Sequence, residues 1–277
     1  MAQLVEHHLA KVRVAGSNPV VRSRRFAARS VRCGFILVAI FAAVVSSACS
    51  SSSRAGVVVA AASDTRDAFA EVAALLKSKD GTNVEFVFGS SGLLREQVLN
   101  GAPYDVFVSA NLAFVDEVVD AGKALVETKA SFAVGRLAVI SAAGVAIPTT
   151  FRELGELGRV VIANPAHAPY GVAAREALAS AGILEEVSER MILADNVADA
   201  VRIVRAGEAS VGIVALSLVI ETPHLVVDES LHQPIRQSLV VTTYGADNQA
   251  AQRFVATLRS PEGIAILERY GFAVEQQ

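Results

Sequence analysis

Tryptophan is absent from the 277 residues, and cysteine and methionine occur only twice each. Two cysteines cannot build a disulfide framework or a four-thiolate zinc centre. Aromatic residues make up 6%, so Ala, Val, Leu and Ile must supply most of the core. A cationic surplus is also missing. The 25 Lys and Arg face 28 Asp and Glu, and a formal net charge of −3 provides no basic surface for DNA or RNA. Neither GxxxxGK[ST] nor GxGxxG occurs, so no nucleotide cradle is indicated, and Gly122-Lys123 is a loop after a helix. What is plentiful is apolar residues, 52% against 19% charged, which excludes the disordered class. The length suggests two domains of ordinary size.

Charge divides the chain near residue 49. Residues 1–48 hold seven basic residues against Glu6 alone, leaving 18 basic and 27 acidic residues for the remainder, a net charge of −9. Arg22 to Arg32 precede the apolar run GFILVAIFAAVV at 34–45 and then Ser46-Ser47-Ala48-Cys49. A basic region, a short apolar segment and small residues describe a secretory signal peptide. The run is shorter than the roughly 20 residues of a membrane span. Cys49 stands where bacterial lipoproteins carry the lipidated cysteine. The match resembles a lipobox, with Ser46 where Leu is usual. Cys33 would leave with the leader. Residues 1–25, with His7 and His8, are alien to a signal peptide, resemble the product of a wrong start codon and are set aside. The expected order is therefore a leader at 1–48, a Ser-rich linker at 49–56 and an exported body.

The body alternates strand and helix signals. Strands are expected at 57–61, 84–88 and 105–109. Helices are expected from the apolar face Ala68, Phe69, Val72, Leu75 and Leu76, and at 93–99 and 112–121. This βαβαβα pattern argues for a parallel sheet covered by helices. A second set follows, with strands at 137–141, 160–163, 191–194, 211–215, 225–227 and 239–242. Helices are expected at 171–181, 197–206, 248–259 and 261–270. Architecture repeats, though sequence does not. Two such units imply two lobes and a cleft, with ligands beyond the carboxyl ends of the strands.

Four strand-to-helix junctions carry small or polar residues: AAASDT at 60–65, FGSSG at 88–92, NPAHAPYG at 164–171 and ADNV at 194–197. Helix N-termini present unpaired N–H groups and partial positive charge, and several aimed at one point bind an anion without Lys or Arg. Taken one junction at a time, Ser63 and Ser91 read first as ordinary N-caps; four junctions on two lobes shift the weight toward a site, although composition alone cannot show that they converge. Asp64 and Asp67 read as complements to a helix N-terminus. His167 reads as a solvent-facing loop residue. His224 and His232 are isolated from any Ser–Asp pairing, which leaves a catalytic triad without support.

At these residues the chain resembles the molybdate-binding proteins of bacterial ABC importers, a branch of the type II periplasmic solute-binding proteins. The resemblance covers 57–274. It is carried by VVVAAASDT (57–65), FGSSGLLREQVLNGAPYDVFVSAN (88–111), NPAHAPYGVAAREAL (164–178), DNVADAVRIVRAGEASVGIV (195–214) and RYGF (269–272). It implies an α/β fold of two lobes, each a mostly parallel sheet flanked by helices, with lobe 1 at 57–133 plus 232–277 and lobe 2 at 134–231. By position, Ser63 and Ser91 would give hydroxyl and N–H donors to the oxyanion, and Val197 and Tyr170 backbone N–H groups.

One departure stands out. Many members have Tyr where this chain has Ala215, and that phenol reaches the oxyanion. The simplest expectation is relocation, with the Tyr170 hydroxyl replacing the missing donor; the alternative is a site with one donor fewer.

The implied protein is an extracytoplasmic, lipid-anchored or periplasmic binder of molybdate, and possibly tungstate. It would be a monomer serving an ABC permease and its ATPase, with no cofactor and no catalysis. Molybdenum or tungsten would enter only as the bound oxyanion. A binder of sulfate or phosphate, or an enzyme or sensor on the same fold, are the rivals. Enzymes on this fold need a charged cleft or a cofactor cysteine, and neither Cys33 nor Cys49 lies within the fold.

Overall fold

The computed structural model describes residues 56–274, so the expectations for the leader and for Cys33 and Cys49 lie outside the described residues. The chain begins with β1 (Gly56–Ala62), α1 (Arg66–Asp80), β2 (Asn83–Gly89), α2 (Ser91–Leu99), β3 (Val106–Ser109), α3 (Leu112–Asp120) and β4 (Ala130–Gly135). It passes through Arg136 into β5 (Leu137–Ser141), β6 (Val160–Ala163), α4 (Pro169–Ser180), α5 (Leu184–Ser188), β7 (Met191–Ala194), α6 (Val197–Arg205), β8 (Val211–Ala215) and β9 (Leu225–Val226). It then returns as β10 (Ile235–Val241), α7 (Gln249–Leu258) and α8 (Pro261–Arg269).

The strands form two five-stranded sheets, ordered β2-β1-β3-β10-β4 and β7-β6-β8-β5-β9. The two orders follow one scheme. Three strands joined by crossover helices run parallel, and a fourth strand runs antiparallel beside them. Each sheet is therefore mixed, because β10 and β5 enter from the opposite lobe and need no crossover helix. Here a lobe means one sheet with its helices. The chain crosses between the sheets at Arg136 and again between β9 and β10.

Periodicity and termini explain the helices. In α1 the residues Ala68, Phe69, Val72 and Leu76 are buried, one face of a helix, while Lys77 and Lys79 complement its C-terminal end. Gly81 closes it with φ of 76°, a left-handed conformation that glycine adopts without penalty, and its N–H reaches Lys77 O. Asn111, Asn196 and Asn248 cap α3, α6 and α7 with side-chain oxygens. The few aromatics are concentrated in the first lobe. Phe69 lies 5.9 Å from Phe86, 6.1 Å from Phe132 and 5.6 Å from Phe254, centroid to centroid. The second lobe is packed with aliphatic residues such as Leu137, Leu154, Ile162, Leu178 and Ile213.

Candidate functional site

β1, β2, β6 and β7 run parallel within their sheets, and each ends where a new turn or helix opens. All four junctions meet at one small cavity. It is lined by Ala62, Ser63 and Asp64 of the first junction and by Gly89, Ser90 and Ser91 of the second. Ala168, Pro169 and Tyr170 come from the third and Val197 from the fourth, with Ala110 completing the wall. All four residues expected at the anion, Ser63, Ser91, Tyr170 and Val197, are there, and each is at least 96% buried. No Lys or Arg lines the cavity. A groove of about 630 Å³ is larger, but it is lined by residues such as Phe132, Leu258 and Ile264 and touches none of the junctions.

The two serines are not caps. Ser63 opens a 3₁₀ turn (Ser63–Thr65), and Ser91 is the first residue of α2, whose N-cap, Ser90, makes no side-chain cap bond. Ser91 Oγ accepts the Ala110 N–H at 3.0 Å, which leaves its hydroxyl hydrogen to donate. Ser63 Oγ accepts the Ala198 N–H of α6 at 3.4 Å. Tyr170 and Val197 lie in the first turn of α4 and α6, where an N–H has no intrahelical acceptor. Several directed, uncharged donors thus surround one point, the arrangement that helix N-termini offer to anions.

Tyr170 departs from expectation. Its hydroxyl donates to Asp64 Oδ2 at 3.0 Å, and Gln237 Nε2 donates to the same oxygen at 2.6 Å. A phenol has one proton to give, and this one is spent on a carboxyl group, so the relocation of the missing Ala215 donor does not hold in this closed arrangement. Gly135 makes the room: a Cβ there would lie 2.0 Å from the Tyr170 hydroxyl. Ala215 is fully buried and lies outside the cavity wall.

Asp64 is also more than a complement to a helix. It is 1% exposed, and burial pushes its carboxyl group up to about 7, against the opposing effects of Tyr170, its own amide and Gln237. The Tyr170 phenol in turn is held well above its usual range by burial and by Asp64. Asp64 Oδ1 is buried and meets no donor from another residue. Asp67, by contrast, sits in the first turn of α1 as expected and pairs with Arg66.

The lobes are tied across the cavity by further bonds. Ser217 Oγ, beyond β8, donates to Asp64 O at 2.7 Å. Gly92 N donates to His167 O at 2.9 Å, and Ser90 Oγ lies 2.8 Å from His167 Nδ1. His167 is thus half-buried in the contact between the lobes and only partly exposed to solvent, because its loop is held against the start of α2. Sequence reasoning placed Asp64 differently and missed Gln237 and Ser217. An acid directly after the junction serine, amid alanines, was a signal for Asp64; a lone Gln inside a strand gave none. Among the described residues no group of three or more His, Cys, Asp or Glu is placed to hold a metal ion.

Residues 57–273 match the family model for bacterial extracellular solute-binding proteins, and the chain belongs to that family. The molybdate-binding protein ModA of Rhodobacter capsulatus is 33% identical over 209 residues, 74% of this chain and 83% of the relative. ModA of Azotobacter vinelandii is 32% identical, with 74% and 84% covered. The solved periplasmic molybdate-binding protein of Azotobacter vinelandii superposes with a TM-score of 0.75 at 28% identity, covering 79% of this chain and all of that one. The sulfate-binding protein SubI of Mycobacterium tuberculosis shares the fold, with a TM-score of 0.63 at 16% identity over 78% of this chain and 86% of that one.

Proposed function

We propose that this protein captures molybdate, and tungstate alongside it, outside the cytoplasm and delivers it to an ABC permease driven by an ATPase. The observation that carries the reading is the meeting of four strand-to-helix junctions at one small cavity without Lys or Arg. Neutral donors have fixed directions, so they select size and tetrahedral shape, whereas a cation attracts any anion. Ser63 and Ser91 give hydroxyl and N–H donors, and Tyr170 and Val197 give backbone N–H groups. The named relatives support molybdate as the cargo. Closure of the lobes buries the anion and presents a surface for the permease to recognise. The chain makes and breaks no bond, needs no cofactor and works as a monomer.

The double variant Ser63→Ala/Ser91→Ala tests the site. Each hydrogen bond to a charged group is worth about 1.5–3 kcal/mol, so molybdate affinity falls by at least about two decades. Affinity equal to that of the parent chain would remove these serines from the site. Cys49, outside the described residues, anchors the exported protein through lipid. Metabolic lipid labelling should vanish in Cys49→Ser, and persistent labelling would reject the anchor.

A further inference from the structure

A carboxylate is an odd neighbour for an anion, yet Asp64 lines the cavity between Ser63 and the opposite lobe. Its two oxygens have different surroundings. Oδ2 takes both available donors, Tyr170 Oη–H and Gln237 Nε2–H, while the buried Oδ1 meets no donor from another residue. A proton on Oδ2 would compete with two donors already aimed there; a proton on Oδ1 would not. On Oδ1 it turns an unsatisfied acceptor into an O–H donor and removes a negative charge from the wall of an anion site.

We propose that Asp64 is a specificity-determining residue that holds the tetrahedral dianion as the neutral acid, so that at alkaline pH, where the free carboxyl group is ionised, one proton is taken up from solvent onto Oδ1 with each anion captured. The inference rests on the oxyanion reading above. Tyr170 and Gln237 position the carboxyl group, and the proton makes capture fall off on the alkaline side. Burial already favours the protonated form, raising the group to about 7.

The neighbouring titratable groups are few. The elements packed on the turn at Ser63–Thr65 are α1, α6 and the turn after β8. On α1, Arg66 and Asp67 pair with each other; on α6, Asp199 pairs with Arg202; the turn after β8 offers only Ser217. α4 contributes Tyr170 at the carboxyl group and carries Arg175 and Glu176 further along; β10 contributes Gln237. His167 stands on the loop before α4, bonded to Ser90, and is the other titratable side chain near the cavity.

Calorimetric titration with sodium molybdate between about pH 6 and pH 8.5, in buffers of different ionisation enthalpy, reads affinity and proton uptake together. Above roughly pH 7 the parent chain is expected to lose about tenfold in affinity per pH unit and to take up close to one proton per molybdate, with uptake falling toward zero near pH 6. Asp64→Asn, which keeps the shape and presents a donor without titrating, should bind with no such slope and no uptake, while His167→Gln should retain both. Binding by the parent chain without proton uptake at the alkaline end overturns the inference alone, and needs no variant to fold. So does an unchanged slope in Asp64→Asn, or loss of uptake in His167→Gln. No molybdate binding by the parent chain at any of these pH values overturns the proposed function and this inference with it.

Discussion

Tyr170 shows how one hydroxyl decides between two chemistries. With its proton on Asp64, the phenol ties the third junction to the first and supports the closed arrangement without donating to the anion. Tyr170→Phe therefore acts through closure and through Asp64. Removing one donor from the carboxyl group leaves it harder to ionise, since that bond lowers its pKa. The variant should bind molybdate about five- to tenfold more weakly near neutral pH, the worth of roughly one hydrogen bond. Its alkaline fall-off should move to higher pH. The sign follows from the acid being the binding form: a raised pKa keeps Asp64 protonated over a wider range. Titration across pH checks both; a fall-off displaced to lower pH would contradict the assigned hydrogen bond.

Among the secondary-structure elements, α2 has a contact that a single atom should disturb. Gly92 N donates to His167 O, and a Cβ at Gly92 would meet that oxygen at 2.7 Å. Gly92→Ala should hold the lobes apart at that point, weaken molybdate binding by about tenfold or more and leave the unliganded fold intact, since the collision lies between lobes. Anion titration and the melting temperature of the unliganded chain read the two effects separately; parent-like affinity would contradict the clamp. Most elements were legible from the sequence, because capping residues, terminal glycines and apolar periodicity are local signals. The strand at 160–163 and the helix opening at Val197 are examples. β4 was not legible. ASFAVG at 130–135 runs into LAVIS at 137–141 with only Arg136 between them, yet the two belong to different sheets. Nor was the first half of β10, where Arg236, Gln237 and Ser238 break the apolar pattern and a bulge follows Gln237. The partners of that segment lie about a hundred residues away, in β4, so no local signal marks it.

At the scale of the whole molecule, the two lobes are built on one scheme and bring their parallel-strand junctions together across a cleft. The sequence displayed four residues that line the cavity, Ser63, Ser91, Tyr170 and Val197, but not the bonds between lobes, because Asp64 meets Gln237 and Tyr170 only after folding. On the proposed function these residues close over molybdate as neutral donors. Calorimetric titration of residues 50–277 with molybdate, tungstate, sulfate and phosphate near neutral pH decides whether they do. One molybdate or tungstate per chain should bind, with sulfate and phosphate at least about two decades weaker, a difference of roughly 2.7 kcal/mol. Sulfate or phosphate binding as tightly as molybdate would show that the cavity does not select molybdate.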